Sequence, residues 1–339
     1  MQTTHPARTR TGRAAATGLA LALALAGCSS TGEAAEVTEP GTGGQESRTV
    51  TVEDNHGTVE VPVDPERVVA LDNRVFSTLA AWDVDLVAAP KDVMGDGLWP
   101  EYTENDDVAN VGNHREPNLE AIVAAEPDLI IGGMRFGSFY DDIVAQNPGA
   151  VVIETSPRDG EDLADEIKRQ IEILGQIFDR EEEAAALVEA HDAAVAEAAA
   201  AYDGTSTVAG LITSGGSIQY SAPVTGRSIG MLYPTLGLQP AIAQQAEDTS
   251  HGDEISVEAI AAADPDWIVV LDRDGATSAG TDGYTPAAEL VSGSEALAQV
   301  TAVTEDQVVY LDPTFYLTED IQAYTNLYRQ VAAAFSAAA

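Results

Sequence analysis

Arginine is scarce in this chain and unevenly placed. The 339 residues carry 56 acidic and 16 basic side chains. Two segments nearly repeat one another: EAIVAAEPDLIIGGMRFG from Glu120 and EAIAAADPDWIVVLDRDG from Glu258. Each is a helix-like run, a Pro-Asp break, an apolar run and then an arginine, Arg135 in one and Arg273 in the other. A guanidinium stays charged and offers a planar fork to paired oxygens, so its natural chemistry is anion recognition. A third arginine, Arg227 in PVTGRSIG, lies between a strand-like and a helix-like run. In so acidic a chain an arginine can equally pair with a surface carboxylate, and that is the expectation for Arg74, Arg115 and Arg158. The equivalent placement of Arg135 and Arg273 sets those two apart. A second matched pair, Glu120 and Glu258, opens the helix-like run of each copy, where the positive end of a helix favours a carboxylate.

Other reactive residue types are thinly spread. Beyond the N-terminal segment the histidines are His56, His114, His191 and His251, far apart and with no HxH pair, which disfavours a dedicated zinc or manganese carrier. The sequence has no P-loop, HExxH, or GxGxxG after a strand, so an enzyme is not expected. A cell-surface enzyme or structural lipoprotein on an α/β scaffold is the alternative from another class.

The elements that must carry these side chains alternate. RVVALD, DLVAAP, LIIGG and AVVIET are short apolar strands, separated by the helix-like VFSTLAAWDV, LEAIVAAE and FYDDIVAQN. This alternation specifies a parallel sheet covered by helices. The longest helical pattern follows, with Gly175 and Asp179 placing a break near Phe178 and a second helix from about Arg180 to Tyr202. Strands then resume (TVAGLI, SIQYSA, WIVVLD, VVYLD), and TEDIQAYTNLYRQVAAAF forms a closing helix. The expected fold is α/β: two Rossmann-like lobes, 49–179 and 204–339, joined by a long helix over 180–203, with a ligand cleft between them. Ligands of open α/β sheets bind beyond the strand carboxyl ends, where Arg135 and Arg273 both fall. Pro127 and Pro265 each stop a helix, so part of the repeat is fold economy.

The N-terminus is a targeting segment. Arg8, Arg10 and Arg13 precede the apolar TGLALALALAG, too short for a stable membrane span, and LAGC ends at Cys28, the only cysteine. Cleavage before Cys28 and lipidation of its thiol are expected, with a flexible tether over 28–48. Removing 1–27 takes three arginines and no acid, moving the formal charge from −40 to −43. That charge excludes nucleic acid as a partner.

RVVALD, VGNHREPNLEAIVAAEPDLIIGG, the central helix and SVEAIAAADPDWIVVLDRD resemble the iron-siderophore substrate-binding lipoproteins of ABC importers. The resemblance runs from about Thr49 to the end and is greatest to the ferric catecholate-binding branch, through IIGGMRFGSFYDDI, YSAPVTGRSIGMLYPTLGL, TSHGDEISVEAI and VVYLDPTFYL. It implies a ferric siderophore as ligand, no intrinsic cofactor, and Arg135, Arg227 and Arg273 as a cationic triad around the anionic complex. It further implies His251 and Tyr316 as direct iron ligands, although TFYL is one residue shorter than the family pattern. Lys91 and Trp99 would stand at the pocket mouth, and Glu120 and Glu258 would dock on the permease, which works with an ATPase. The protein would be a monomer, lipid-anchored on the outer face of the cell membrane. Haem or cobalamin is the alternative ligand; with aromatics at only 6%, the walls such ligands need are less evident.

Overall fold

The computed structural model describes residues 48–244 and 252–338. The signal, the tether, Cys28 and His251 lie outside the described residues. Among the described residues no helix is long and apolar enough to cross a membrane.

The first sheet is all parallel. From one edge its strands are Ala109–Asn110, Leu86–Ala89, Val68–Ala70, Leu129–Gly132 and Val151–Glu154. In chain order this is 3-2-1-4-5, the Rossmann order without its sixth strand. Its direction of winding reverses between Val68–Ala70 and Leu129–Gly132, and the crevice beyond the carboxyl ends of those two strands is where such a sheet binds ligands. An antiparallel hairpin, Thr49–Asp54 with Gly57–Pro62, precedes the sheet and is not among the expected strands.

The second sheet is mixed. Thr207–Ser214 pairs in parallel with Trp267–Asp272, which pairs in parallel with Val308–Tyr310. On its other side Ser217–Tyr220 runs antiparallel. The connection between these two strands, Gly215-Gly216, has φ of 60° and 71°. Both residues are left-handed, as the favoured two-residue hairpin turn requires.

The repeated Pro-Asp break has one architectural task in both copies. Glu126 and Asp264, the residues before the prolines, leave the helical region at φ 45° and 43°. The next aspartate then ties down the chain entering the sheet. Asp128 accepts from the backbone N–H groups of Glu66 and Arg67 at 2.9 and 3.0 Å, and Asp266 accepts from that of Thr207 at 2.7 Å. Each copy therefore locks the start of its lobe's first central strand.

The central helices are Leu163–Phe178 and Glu181–Ala201. Asp179 makes the break in a left-handed conformation. Gly175 does not end a helix. It is small because a Cβ there would lie 2.7 Å from that of Ala184, so it permits the two helices to approach closely. The closing helix Ile321–Ala338 packs along Glu181–Ala201. One apolar core runs from the inner face of the first sheet (Val68, Leu129) through Ile171, Leu174 and Tyr328 to the inner face of the second (Val208, Trp267). Separate clusters around Ile130 and Ile268 fill the outer faces.

Candidate functional site

Arg135 follows Leu129–Gly132 through Gly133 and Met134. Gly133 has φ 121°, and a Cβ on it would overlap Ser156 Oγ. That hydroxyl accepts from the Met134 N–H at 2.8 Å and donates to the buried carboxylate of Asp72 at 3.0 Å. Asp72 also accepts from the backbone N–H of Arg74 at 2.9 Å. One buried aspartate thus fixes the loops beyond both strands that flank the reversal of the first sheet.

The second lobe uses a similar device. Asp272, at the end of Trp267–Asp272, accepts from Thr213 Oγ1, the Gly275 N–H, the Tyr284 hydroxyl and the Ala287 N–H, all within 3.0 Å. Arg273 is the next residue. Arg227 leaves the tight segment after Ser217–Tyr220, where a Cβ on Gly226 would overlap the backbone of Ala222. Its carbonyl accepts from Ser221 Oγ at 3.2 Å.

These loops meet at Tyr316. Its ring is buried, with the Arg227 guanidinium carbon 4.2 Å and that of Arg273 5.2 Å from the ring centroid. Cations over an aromatic face at such distances are attracted by about 0.5–2 kcal/mol. Arg227 donates to the Tyr316 carbonyl at 3.2 Å. Arg135 lies within reach of their charges: burial, then the charge of Arg227, lower its pKa, while Glu319 and Tyr316 oppose the shift. The structure brings four of the expected site residues, Arg135, Arg227, Arg273 and Tyr316, into one cluster.

The cluster holds two further members. Glu319, 1% exposed, accepts from Arg227 Nε at 2.9 Å, Arg227 Nη2 at 2.7 Å and Ser228 Oγ at 2.7 Å. Arg74 lies 3.5 Å from the same carboxylate, its side chain only 15% exposed. The expectation of surface pairing for Arg74 is therefore corrected: its partner is a buried carboxylate inside the site. Burial favours the neutral acid at Glu319, but Arg227, Arg74 and Ser228 outweigh it and hold the pKa down to about 2. Burial likewise opposes the charge on Arg227, and Glu319 more than restores it. Arg74 Nε, Arg135 Nη1 and Arg273 Nε are buried with no hydrogen-bond partner among the described residues. Buried donors in that condition are costly unless a further acceptor completes them.

Not every expected residue faces this cluster. Trp99 is buried in the first lobe, packed 5.1 Å from Phe76 with its indole N–H on Ser77 Oγ at 3.1 Å. It is a core residue, which corrects its placement at a pocket mouth. The Lys91 ammonium donates to the Asn105 carbonyl at 2.6 Å. Arg158 pairs with Glu166 at a 42% exposed position, and Arg115 is exposed. The histidines are dispersed. His56 stacks on Tyr140 and His191 meets Tyr328 edge-on, while burial and the charge of Arg135 lower the pKa of His114. Among the described residues no group of three His, Cys, Asp or Glu could hold a metal.

Glu120 and Glu258 are exposed in the first turns of Leu119–Ala124 and Val257–Ala263. The side-chain caps of those helices come from Asn118 and Ser256, each accepting from a backbone N–H at 3.1 Å. The glutamates are therefore not needed as caps. A separate hollow of about 650 Å³ is lined by Glu172, Gln176, Glu181 and Glu189 on the central helices. It shares no residue with the arginine cluster, and its acidic wall is unsuited to an anion.

A winding reversal in the first sheet, arginines beyond the strand ends and a helix between two sheets point to a known architecture. The model of the periplasmic binding protein family matches residues 68–314. The chain belongs to this family. Among similar periplasmic binding proteins is the petrobactin-binding protein YclQ of Bacillus subtilis (strain 168), 27% identical over 82% of this chain and 84% of that one. The YclQ crystal structure superposes with a TM-score of 0.71, at 26% identity over 85% of this chain and 99% of that one. A TroA-like periplasmic binding protein from Xylanimonas cellulosilytica is 31% identical over 86% of this chain and all of its own, with a TM-score of 0.69. The catecholate-siderophore binding protein VctP from Vibrio cholerae shares the fold at a TM-score of 0.73 and 23% identity, over 84% of this chain and all of its own.

The depressed pKa of Glu319 makes a pH-dependent prediction. Its folded value, about 2, lies below its ordinary value of 4.5. The stability contributed by its charge is then fully present above about 4.5 and lost as pH falls through about 2. Thermal melts of the wild type and Glu319→Gln should differ by a constant interval between pH 7 and 5, and the interval should close at lower pH. An interval unchanged at the acid end would show that the carboxylate charge is not what stabilises the fold.

Proposed function

We propose that this protein captures a ferric siderophore of the anionic catecholate type outside the cytoplasm and hands it to the permease of an ABC importer. The observation that carries the reading is the convergence of Arg227 and Arg273 on Tyr316, with Arg135 of the other lobe buried within range of the Arg227 charge. The chain as a whole carries a formal charge of −40 and repels an anion at long range. A local cluster of cations is what lets an anion settle there. A ferric tris-catecholate carries three negative charges. At ~5 Å and an effective dielectric of about 20, each unit pair is worth roughly 3 kcal/mol before desolvation. The buried unpartnered donors of Arg135 and Arg273 suit the catecholate oxygens. His251 and Tyr316 are proposed to supply iron ligands where a siderophore leaves coordination sites free. The names of YclQ, which binds petrobactin, and of VctP, which binds catecholate siderophores, support the ligand class. As a binding protein it needs no catalytic group and no resident cofactor.

The membrane side of the reading rests on Cys28 and the two glutamates. A lipid on Cys28 would tether the protein to the outer face of the membrane, and Cys28→Ala should then release it or leave an unprocessed precursor. Normal processing with retained lipid label would remove the anchor from the account. Exposed and dispensable as caps, Glu120 and Glu258 are proposed to dock on the permease. Alanine at both should leave ferric-complex affinity unchanged while lowering cellular iron uptake; undiminished uptake would contradict docking.

The ligand itself is tested by fluorescence titration. Arg→Gln at 135, 227 or 273 should weaken a ferric tris-catecholate by about 1.5–3 kcal/mol, the range for hydrogen bonds to charged groups. A neutral ferric trihydroxamate should bind poorly to the wild type and lose less on the same changes. Equal responses would make the arginines structural and the catecholate reading wrong.

A further inference from the structure

Glu319 is out of place in a site for anions. It is fully buried, it accepts two hydrogen bonds from Arg227, and it lies 3.5 Å from Arg74. Every negative charge there repels an anionic ligand at short range, where screening is least. A carboxylate kept at that point must therefore serve the empty protein. Without it, Arg74 and Arg227 would be buried beside each other and beside Arg135, whose pKa already registers both of their charges. Truncating one partner of a buried pair leaves the other charge uncompensated, which destabilises strongly.

Glu319 also sits where it can report on both lobes. Residues flanking it are tied to the loop and helix after Val68–Ala70: Asn73 donates to the Leu317 carbonyl at 3.0 Å, and Ser77 Oγ donates to the Asp320 carboxylate. The Asp320 carboxylate also accepts from the Ala323 N–H at 2.7 Å, at the start of the closing helix. Its neighbour is thus held in place, and the Glu319 carboxylate cannot swing away from the arginines without disturbing this seam.

We propose that Glu319 stands in for one unit of ligand charge in the empty site: it keeps Arg74 and Arg227 buried and charged when no ligand is bound, and in return lowers the affinity for multiply charged anionic chelates. A neutral complex feels little of its charge. A trianionic complex is repelled by it but still finds the buried unpartnered donors of Arg74, Arg135 and Arg273. The inference rests on the ferric-complex reading of the same site and adds the reason for a carboxylate there.

Glu319→Gln keeps an acceptor for Arg227 and Ser228 but removes the charge. Titration with a hexadentate ferric tris-catecholate and with ferrioxamine E, a neutral cyclic ferric trihydroxamate, separates the outcomes. The variant should melt lower than the wild type when empty. It should bind the tris-catecholate about tenfold more tightly or better, since one short-range repulsion is gone, and show a larger ligand-induced rise in melting temperature. Its affinity for the trihydroxamate should change about twofold at most. Unchanged or weaker tris-catecholate binding would overturn the proposal and reduce Glu319 to a support for Arg227. If the variant folds only with ligand present, the tris-catecholate should rescue it and the trihydroxamate should not; equal rescue, or none, is contradictory. Wild type that binds no ferric complex overturns both this inference and the function it rests on. Wild type that binds, with a variant that binds worse, overturns this inference alone.

Discussion

The structure turns on a buried ion pair, Arg227 with Glu319, at the junction of two lobes. Each partner is desolvated, and each keeps its charge because the other is there. Tyr316 lies under the same guanidinium, and Arg74 reaches the same carboxylate from the other lobe. Buried pairs are seldom retained for stability alone, because well-packed apolar groups of similar volume often do as well. This one holds a positive surface in a chain whose overall charge is strongly negative. The loops around it are arranged so that the arginines keep their places when no ligand is bound.

The two lobes reach that junction by parallel means. In each, a buried aspartate beside a strand end ties the arginine-bearing segment: Asp72 with Ser156 in one, Asp272 with Thr213 and Tyr284 in the other. In each, the aspartate after a proline fixes the start of a central strand. The repeat in the sequence thus has two layers. Its Pro-Asp break builds the sheet, and its arginine is delivered to the crevice that the sheet creates.

Much of this was legible beforehand because it is local. The short continuous apolar runs marked strands such as Trp267–Asp272 at their full length, and the break at Asp179 fell where the left-handed turn lies. The three arginines were legible from strand ends and from resemblance. Glu319 was not. It is one acid among 56, and its importance comes from Arg74 and Arg227, far from it in the chain. Arg74 was misjudged for the same reason, since only the fold brings it to Glu319. An aromatic residue in a loop-like stretch such as Trp99 gives no sign of whether it packs inward, and here it lies in the core beside Phe76. The N-terminal hairpin, TVTVED then GTVEVP, is harder to read because its strands are half exposed and carry few apolar residues in a row.

A core that runs without interruption through both sheets and the three long helices opposes wide opening of the lobes. On the proposed reading, recognition would then depend on charge placed in advance more than on closure around the ligand. The direct test is a crystal structure with a ferric tris-catecholate bound, using anomalous scattering at the iron edge to locate the metal. The iron should lie over Tyr316, with catecholate oxygens within hydrogen-bonding distance of Arg135, Arg227 and Arg273. Iron bound elsewhere, or a complex at that position touching none of the three arginines, would contradict the account.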